Sequence, residues 1–590
     1  MKSTSGVGIF SIVGRILKEF VKDKRTLVIL LVLSLFAAGF DISIPVINQK
    51  LIDALIKSVV SGKPFTEWHL AAVALAVLSI TLVGRSLVNA YGYRLFERAT
   101  KLEDDFRDKG YEKYLNLDAF YYHSNSSGQV ISRIERGGVG FYAIVHDIVG
   151  QNLVVPAIYF VAILAILTLK SPLIALIIFL PLPTYLFLVR GWSKEVYEID
   201  RRAYDQFELA SREQYDTAAN VMAVKRFGQE DRELLSQRRI RIAAREIQYS
   251  AERLWNKMDM LQTCLAALGR AAVIITAGYL VITKEISIGE FTLFLSLQSM
   301  VYAPMFQLSV LFPRLRRNVA RAERLFQVID EPIRIFDPKK AIELAPLGRN
   351  ILFERVWFRY RENTPMILKG IQVEIPKGAV TALVGRSGSG KSTFVNLLIR
   401  AYDPTTGRIT FDGSDIRTVT QKSLRAQIAM VSQEIELFSR TIRENISYGR
   451  ENATEEEIRQ AAEMAFAEEF IDQLEKGYDA VVGERGLRLS GGQRQRIGIA
   501  RAILRKPSVL ILDEATNQLD TASEKMVHAA IDRVMRNQTS VIIAHRLSTV
   551  MHADQIIVLD HGNVEAIGGH EKLLQKSAIY KHLYDLQFAS

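Results

Sequence analysis

The chain has 590 residues, of which 49% are hydrophobic and 24% are charged, and its formal net charge is +11. A chain of this length is too long to form one compact core. A high content of apolar residues together with many charged residues indicates two parts of different composition. These numbers exclude a single small soluble domain. The basic residues lie beside apolar runs, as in cytoplasmic loops of membrane proteins, so we expect no nucleic-acid partner. The clusters are Lys18, Lys22, Lys24 and Arg25 before the first run, Arg190, Arg201 and Arg202 after the fourth, and Arg238, Arg239, Arg241 and Arg245 before the fifth.

The N-terminus lacks the short apolar stretch and small-residue cleavage site of a signal peptide, so the first apolar run is expected to stay in the membrane. The one cysteine, Cys264, lies in an apolar segment. A lone cysteine forms neither an intramolecular disulfide nor a metal site by itself. We therefore interpret Cys264 as a small buried hydrophobic side chain.

Six apolar runs reach or approach the roughly 20 residues needed to cross the hydrocarbon core. Pro181 and Pro183 predict a bend in the fourth run. With the basic loops inside, both termini are expected in the cytoplasm and the short connections outside, in a cell membrane of the plasma or inner type. The predicted spans are 27–47, 70–90, 151–169, 173–189, 261–283 and 291–312.

The long internal stretches 94–116 and 196–245 are rich in Glu, Arg, Ala and Leu, which predicts helices that continue beyond the membrane. Turn-forming residues interrupt the first near 123–128 and the second near 217–220. Helical hairpins that project into the cytoplasm would present these breaks to the rest of the chain.

Two charged residues fall within predicted spans, Arg85 in the second and Arg270 in the fifth. An ionisable group at mid-bilayer costs about 2.5–3.5 kcal/mol, so it usually faces a cavity or a partner. Arg270 either lines the substrate path and favours an anionic group there, or forms an ion pair or hydrogen bond inside the bundle. Arg85 lies nearer the inner face, where its side chain can reach the interface.

From residue 351 onward, short β-rich runs alternate with helical ones, the pattern of a parallel sheet covered by helices. The fold class is therefore multidomain: an all-α six-helix transmembrane domain over 1–335, a linker over 336–350, and an α/β P-loop ATPase domain over 351–590.

An apolar strand at 379–384 runs into a glycine-rich loop and a helix, which is the context of a phosphate-binding P-loop. The glycines let backbone N–H groups converge on phosphate oxygens. Lys391 can reach the β- and γ-phosphates of ATP, and the Ser392 hydroxyl can bind Mg²⁺. The loop comprises Gly385, Arg386, Ser387, Gly388, Ser389, Gly390, Lys391, Ser392 and Thr393.

Downstream, the apolar run 509–512 ends in two carboxylates. After a P-loop in the same α/β domain, Asp513 is placed to hold Mg²⁺ and Glu514 to polarise the attacking water. Between these elements, the sequence Leu489, Ser490, Gly491, Gly492, Gln493 opens a helix and forms a second anion site.

Residues 489–493 match the signature motif of the ABC transporter family, and the chain resembles an exporter-type half-transporter over nearly its whole length. The resemblance implies a dimer, because in that family each ATP lies between one chain's P-loop and the other chain's signature motif. It implies that Tyr360 stacks on adenine, that Gln433 contacts Mg²⁺, and that His545 contacts the γ-phosphate. The breaks near 123–128 and 214–230 resemble the two coupling segments, and 483–486 resembles the exporter-specific loop.

The sequence departs from the family pattern at 517–520, Asn-Gln-Leu-Asp, and at Ile435 and Glu436, which puts communication between domains in question but not hydrolysis. No catalytic position is degenerate, which favours a homodimer over a heterodimer. A nucleotide-gated channel or receptor, an ATPase for DNA or translation, and an importer are the alternatives. Intact Glu514 and His545 and the fused spans oppose them. The substrate, whether lipid, lipid-linked sugar, drug or peptide, stays open.

Overall fold

The computed structural model describes residues 9–62, 66–483, 486–513, 521–535, 538–543 and 550–588. These residues form two compact units, one of Met1–Leu115 and Ser127–Glu331 and one of Asn116–Ser126 and Pro332–Ser590. The second unit thus includes Asn116–Ser126, which the predicted division assigns to the membrane part. The division into 1–335, 336–350 and 351–590 stays a prediction.

The described residues of the first unit form helices joined by short turns, and the predicted spans lie in these helices apart from Leu180 and Thr283. Within the described ranges, four helical stretches are long and apolar enough to cross a membrane, namely Lys24–Ser61, Glu67–Leu115, Ser127–Lys170 and Glu230–Ile282, and Pro172–Tyr185 is a shorter apolar helix. The helices are α1 Ile9–Val21, α2 Lys24–Ser61, α3 Glu67–Leu115, α5 Ser127–Tyr142, a π-helical stretch Ala143–Val154, α6 Val155–Lys170, α7 Pro172–Phe179, α8 Pro181–Ala219, α9 Val221–Phe227, α10 Glu230–Ile282 and α11 Ile288–Ile329.

The fourth predicted span breaks where the prolines predict a bend, since α7 ends at Phe179 and α8 begins at Pro181. A proline cannot donate a backbone hydrogen bond, so nearby carbonyls need other donors inside a membrane. The Tyr302 hydroxyl on α11 donates to the Ile178 carbonyl at 3.1 Å. A side chain from a neighbouring helix thus hydrogen-bonds the backbone beside the bend.

The N-terminus of α11 is held by an acid from another helix. A Ser287–Glu290 capping box closes its first turn. Asp53 on α2 accepts hydrogen bonds from the Ser287 hydroxyl and the Gly289 N–H, both at 2.9 Å. Lys170 at the end of α6 pairs with Glu290 at 2.9 Å. These contacts tie together three helices at one end of the bundle.

Cys264 is exposed on α10, so the prediction of a buried cysteine is wrong. In a membrane span the surroundings can be as apolar as the protein core, so a hydrophobic side chain gains little from burial within one chain. Apolar character therefore does not predict burial here as it does in a soluble domain.

The second unit contains two sheets within its described residues. One has the order β2-β1-β4-β5 and the other the order β10-β9-β3-β8-β7-β6. The strands are β1 Asn350–Phe358, β2 Leu368–Pro376, β3 Val380–Val384, β4 Thr406–Phe411, β5 Ser414–Asp415, β6 Ile428–Val431, β7 Val509–Asp513, β8 Thr539–Ile543, β9 Gln555–Asp560 and β10 Asn563–Gly568. The helices are α4 Ala119–Ser124, α12 Lys391–Leu398, α13 Gln421–Ala426, α14 Ile442–Ser447, α15 Glu455–Met464, α16 Glu468–Asp472, α17 Gly491–Arg505, α18 Thr521–Met535, α19 His570–Lys576 and α20 Ala578–Phe588.

Two large apolar clusters divide this unit. One joins the four-stranded sheet to α12, where the Phe353 and Phe394 rings stack with centroids 4.0 Å apart. The other joins α14 to α18 and includes Leu489 and Ile497 at the start of α17. Burial on both faces of a parallel strand explains why β7 is apolar from Val509 to Leu512 and why β8 ends in Val541, Ile542 and Ile543. The P-loop helix and the signature helix therefore belong to different cores.

A buried arginine fixes the chain ahead of β1 to the second unit. The Arg400 side chain is only 2% exposed. It donates to the carbonyls of Phe336 and Val419, both at 3.2 Å, and to Asp403 at 3.1 Å. A buried charge is tolerated because these acceptors satisfy its donors. The segment around residue 336 is thus anchored just beyond α12.

The close approach of α5 and α11 generates the first prediction. A Cβ atom on Gly140 would lie 2.8 Å from the Asn318 carbonyl oxygen. This oxygen belongs to the backbone of α11, so it cannot move away as the end of a flexible side chain can. We expect Gly140→Ala to destabilise the first unit by about 1–3 kcal/mol, the cost of overpacking. Thermal unfolding in detergent measures it. Gly128→Ala on the same helix is the control, because its Cβ meets nothing within 4 Å. Equal stability of the two variants would contradict the packing described.

Candidate nucleotide-binding site

The carboxyl ends of four adjacent parallel strands form one edge of the six-stranded sheet. β3, β8, β7 and β6 lie side by side in that order, and each neighbouring pair is parallel. Parallel strands end at the same edge, and ligands of open α/β sheets bind there. The predicted P-loop follows β3, Gln433 follows β6, and Asp513 ends β7. The fold thus brings these predicted residues to one edge.

Two predicted catalytic residues, Glu514 and His545, lie outside the described residues, as do 517–520 and residues 484 and 485 of the exporter-specific loop. Their places in the chain are nevertheless informative. Glu514 directly follows Asp513 at the end of β7, and His545 comes two residues after β8 ends at Ile543. The roles predicted for both stay predictions.

The P-loop has the backbone that its glycines predict. Gly385, Gly388 and Gly390 have φ angles of 158°, 79° and 107°, within the region that favours glycine. A Cβ atom at Gly385 would also lie 2.1 Å from the Leu559 carbonyl oxygen. Gly390 precedes α12, which begins at Lys391. The loop therefore presents backbone N–H groups and a helix N-terminus to one point, an arrangement that binds phosphate.

Lys391 is buried against the loop that precedes it. Its Nζ donates to the Gly385 carbonyl at 2.8 Å and to the Arg386 carbonyl at 3.1 Å. The side chain thus folds back over the concave side of the P-loop, where a phosphate would replace these acceptors. Around it, Arg386, Ser387 and Gly388 are exposed and Ser389 is buried. The hydroxyl of Ser389 has no hydrogen-bond partner.

Tyr360 is tied to the P-loop helix. Its hydroxyl lies 3.0 Å from the Thr393 hydroxyl in the first turn of α12. Its ring meets Phe358 and Tyr402 edge to face, with centroids 4.9 Å and 5.1 Å away. Burial raises the pKa of Tyr402 to about 12. The Tyr360 side chain remains 36% exposed, so it has free surface for stacking on a base.

The oxygens predicted to hold a metal suit Mg²⁺. Ser392 is exposed beside the buried Lys391, Gln433 is exposed after β6, and Asp513 is half-buried at the end of β7. Hydroxyl, amide and carboxylate oxygens are the hard donors that Mg²⁺ prefers, usually together with substrate phosphates and water. No cluster of three His, Cys, Asp or Glu that could hold a metal occurs within the described ranges. Mg²⁺ held by these three residues would also be bound by nucleotide phosphates and water.

The signature residues form the capped start of α17. The Ser490 hydroxyl accepts from the Gln493 N–H at 3.3 Å, and the Gln493 side chain accepts from the Ser490 N–H at 2.9 Å. Ser490 is exposed, Gly491 is partly so, and Leu489 and Gly492 are buried. The start of α17 thus has the arrangement of an anion site. Within the described residues, it is not hydrogen-bonded to the P-loop of the same chain.

The segment after Gln433 packs directly on α17. A Cβ atom on Gly498 would lie 2.7 Å from the Ile435 Cδ1 methyl, so a larger residue there would force the Ile435 side chain to shift. Arg501 donates to the Glu436 carbonyl at 3.0 Å and to the Asn445 carbonyl at 2.9 Å. Burial lowers the pKa of the Arg501 guanidinium. Ile435 and Glu436, two of the positions at which the sequence departs from the family pattern, therefore contact the signature helix, a link that the motifs alone did not reveal.

The helix α4 connects the first predicted break to the nucleotide-binding unit. The Phe120 ring lies under two guanidinium groups, with Arg334 at 4.5 Å and Arg361 at 5.0 Å from its centroid. Asp118 lies 4.0 Å from Arg334. Arg361 directly follows Tyr360 in the chain. The helix that leads into the predicted coupling segment at 123–128 thus contacts Arg361, the neighbour of the predicted adenine contact Tyr360.

The predicted breaks lie close to turns in the structure. A turn at 125–126 separates α4 from α5, within the predicted 123–128. Asn220 ends α8 at the edge of the predicted 217–220, and a further break at Gly228 and Gln229 separates α9 from α10. The apolar side chains of α9 are exposed, with Phe227 at 77%.

The predicted spans contain one more charged residue than the two that the sequence analysis identified. Arg85 and Arg270 are exposed in the first unit, and the predicted role of Arg270 stays a prediction. The prediction missed Asp41, which lies in the first predicted span and accepts a hydrogen bond from the Tyr159 hydroxyl. An acidic residue within an apolar run is the signal that could have found it.

Comparisons with known proteins agree with this geometry. The sequence profile described as ABC transporter matches residues 368–517, and the profile described as ABC transporter transmembrane region matches 27–305. YgaD of Bacillus subtilis (strain 168), named as a candidate multidrug export ATP-binding/permease protein, is 32% identical over 96% of this chain and 98% of its own. A Staphylococcus aureus (strain NCTC 8325) protein with the same kind of name is 34% identical over 96% and 99%.

The fold also matches a solved structure of an exporter. The structure of a bacterial Atm1-family ABC exporter with ATP bound aligns with a TM-score of 0.84 at 29% identity, covering 96% of this chain and 99% of that one. Profiles, relatives and fold agree over nearly the full length. The chain belongs to the ABC transporter family and is a fused half-transporter of the exporter type, which couples ATP hydrolysis to transport.

Proposed function

We propose that two copies of this chain form one exporter that moves an amphipathic or lipid-like molecule from the cytoplasm or inner leaflet to the other side. The observation that carries this proposal is the convergence of the P-loop, Gln433 and Asp513 at one sheet edge, in a chain with membrane-spanning helices. The relatives' names, which describe multidrug export, support an amphipathic substrate. The exporter lies in a plasma or inner membrane, with the nucleotide-binding unit and both termini in the cytoplasm.

The separation of the two anion sites within one chain supports the proposed dimer. The P-loop helix and the signature helix belong to different apolar cores of one chain. A second copy, placed head to tail, supplies its Ser490, Gly491, Gly492 and Gln493 to the nucleotide on this chain's P-loop. Two identical composite sites then form, consistent with a chain in which Lys391, Asp513 and Glu514 are all retained.

Each residue of the site has one task in hydrolysis. Tyr360 stacks on adenine, and the P-loop N–H groups and Lys391 hold the phosphates. Ser392, Gln433 and Asp513 hold Mg²⁺, which when bound neutralises charge on the phosphates. Glu514 polarises the attacking water, and His545 contacts the γ-phosphate. Transport follows because the nucleotide-bound dimer favours a different conformation of the helices from the empty one.

The role of Glu514 is tested with Glu514→Gln. We expect ATP hydrolysis to fall about 10²–10⁴-fold, because the amide cannot take a proton, while ATP binding persists. Hydrolysis by purified protein in lipid nanodiscs, with a panel of lipids and amphiphiles added, measures this and the substrate class together. Glu475→Gln, at an exposed position of the same unit, should hydrolyse like the wild type. Wild-type turnover by Glu514→Gln would exclude the assigned role.

The composite dimer is tested by mixing two defective chains. Lys391→Ala damages the P-loop and Ser490→Arg blocks the signature, so each variant alone has two damaged sites. In a mixed dimer both defects fall in one composite site and the other site is intact. We expect the mixture to regain a substantial fraction of ATP hydrolysis, measured after co-expression with two affinity tags. Activity no higher than that of either variant alone would contradict the head-to-tail homodimer.

Coupling through α4 is tested with Phe120→Ala, which removes the ring beneath Arg334 and Arg361. We expect basal ATP hydrolysis to change less than about twofold, because no nucleotide contact is lost, and stimulation by the activating amphiphile to disappear. Paired measurements with and without that amphiphile give the ratio. Ser124→Ala, exposed on the same helix, is the control. If basal and stimulated rates fell in proportion, Phe120 would have only a structural role.

A further inference from the structure

The predicted adenine contact, Tyr360, lies beyond the end of a strand. The pairing of β1 with β2 ends at Phe358 and Leu368, and Tyr360 lies in the connection between these two strands. Sheet pairing therefore does not extend to Tyr360. The direction of its ring depends on the side chains that pack against it, as is usual where a binding residue is held by a surrounding shell.

The Tyr360 side chain is held at two points. Its hydroxyl lies 3.0 Å from the Thr393 hydroxyl in the first turn of α12. Its ring meets the Tyr402 ring edge to face, with the planes at 84° and the centroids 5.1 Å apart. Phe358 lies beside both rings, with its centroid 4.9 Å from Tyr360 and 5.6 Å from Tyr402. Perpendicular aromatic rings attract each other at such distances, so Tyr402 favours one orientation of the Tyr360 ring.

Tyr402 is itself fixed to the P-loop helix. Its side chain is only 8% exposed. On one side of it, the Ala401 N–H donates to the Asn396 carbonyl of α12 at 2.8 Å. The buried Arg400 donates to Asp403 on the other side at 3.1 Å. The chain is thus anchored both before and after Tyr402, which places its ring at a fixed position relative to α12.

We infer that Tyr402 is a positioning residue for nucleotide binding, because it holds the Tyr360 ring in place relative to the P-loop helix. A nucleotide has to reach the phosphate site at the start of α12 and the stacking ring at the same time. Thr393 and Tyr402 both connect that ring to α12, so the contacts for the two ends of the nucleotide are already in register and less order has to be gained on binding. This inference rests on the proposed stacking of Tyr360 on adenine and adds a residue that lies in none of the sequence motifs.

The test measures KM and kcat for ATP hydrolysis by the full chain in lipid nanodiscs. In Tyr402→Leu we expect KM to rise about three- to tenfold and kcat to change less than about twofold, because the ring acts on binding and not on the chemical step. Tyr402→Phe keeps the ring and should have a KM within about twofold of the wild type. Tyr402→Met, with a flexible apolar side chain, should behave like Tyr402→Leu and replaces it if that variant does not fold.

A double substitution shows whether the effect passes through Tyr360. Tyr360→Leu should raise KM at least as much as Tyr402→Leu, and combining the two should raise it no further. Phe411→Leu is the control, because Phe411 is another buried ring of the same apolar core and its KM should equal that of the wild type.

Four results would overturn the inference: an unchanged KM in Tyr402→Leu, a fall in kcat as large as the rise in KM, additive effects of the two substitutions, or the same rise in Phe411→Leu. An unchanged KM in Tyr360→Leu would instead exclude the stacking role on which the inference rests. Loss of the proposed export function would be seen separately, as wild-type hydrolysis that does not depend on Glu514.

Discussion

The carboxyl ends of neighbouring parallel strands lie at the same edge of a sheet. In this chain that constraint brings together the segments of the nucleotide site, which are more than a hundred residues apart in the sequence. β3 and β7 are separated in the sequence by the whole of α12 to α17, yet both lie against β8 in one sheet. The loop after β3 and the carboxylate at the end of β7 meet for that reason alone. The apolar residues of these strands, buried on both faces, keep the alignment in place.

The membrane unit depends on a different constraint, the need to satisfy polar groups where water is scarce. Tyr302 supplies a donor at the bend between α7 and α8, and Asp53 caps the start of α11. Asp41 on α2 accepts a hydrogen bond from the Tyr159 hydroxyl on α6, so it joins two further helices in the same way.

Much of the architecture was predictable because it follows from local pattern. A strand, a glycine-rich loop and a helix predict the phosphate site, and apolar runs predict the helices that the structure contains. Contacts between distant segments were not predictable from one sequence. The burial of Arg400 beneath the Phe336 carbonyl and the packing of Ile435 on Gly498 depend on three-dimensional neighbours that no periodicity encodes. Asp41 is a different case, since a charge within an apolar run is visible in the sequence.

The membership of Asn116–Ser126 in the second unit has a consequence for how the protein is made. This segment leaves the ribosome about 200 residues before Pro332, where the rest of its unit begins, a delay of about 10–40 s at 5–20 residues per second. During that interval Phe120 lacks Arg334 and Arg361, the two arginines that lie over its ring. The second unit is therefore complete only when a segment synthesised early meets residues synthesised after Pro332, which makes its assembly a late step between distant parts of the chain.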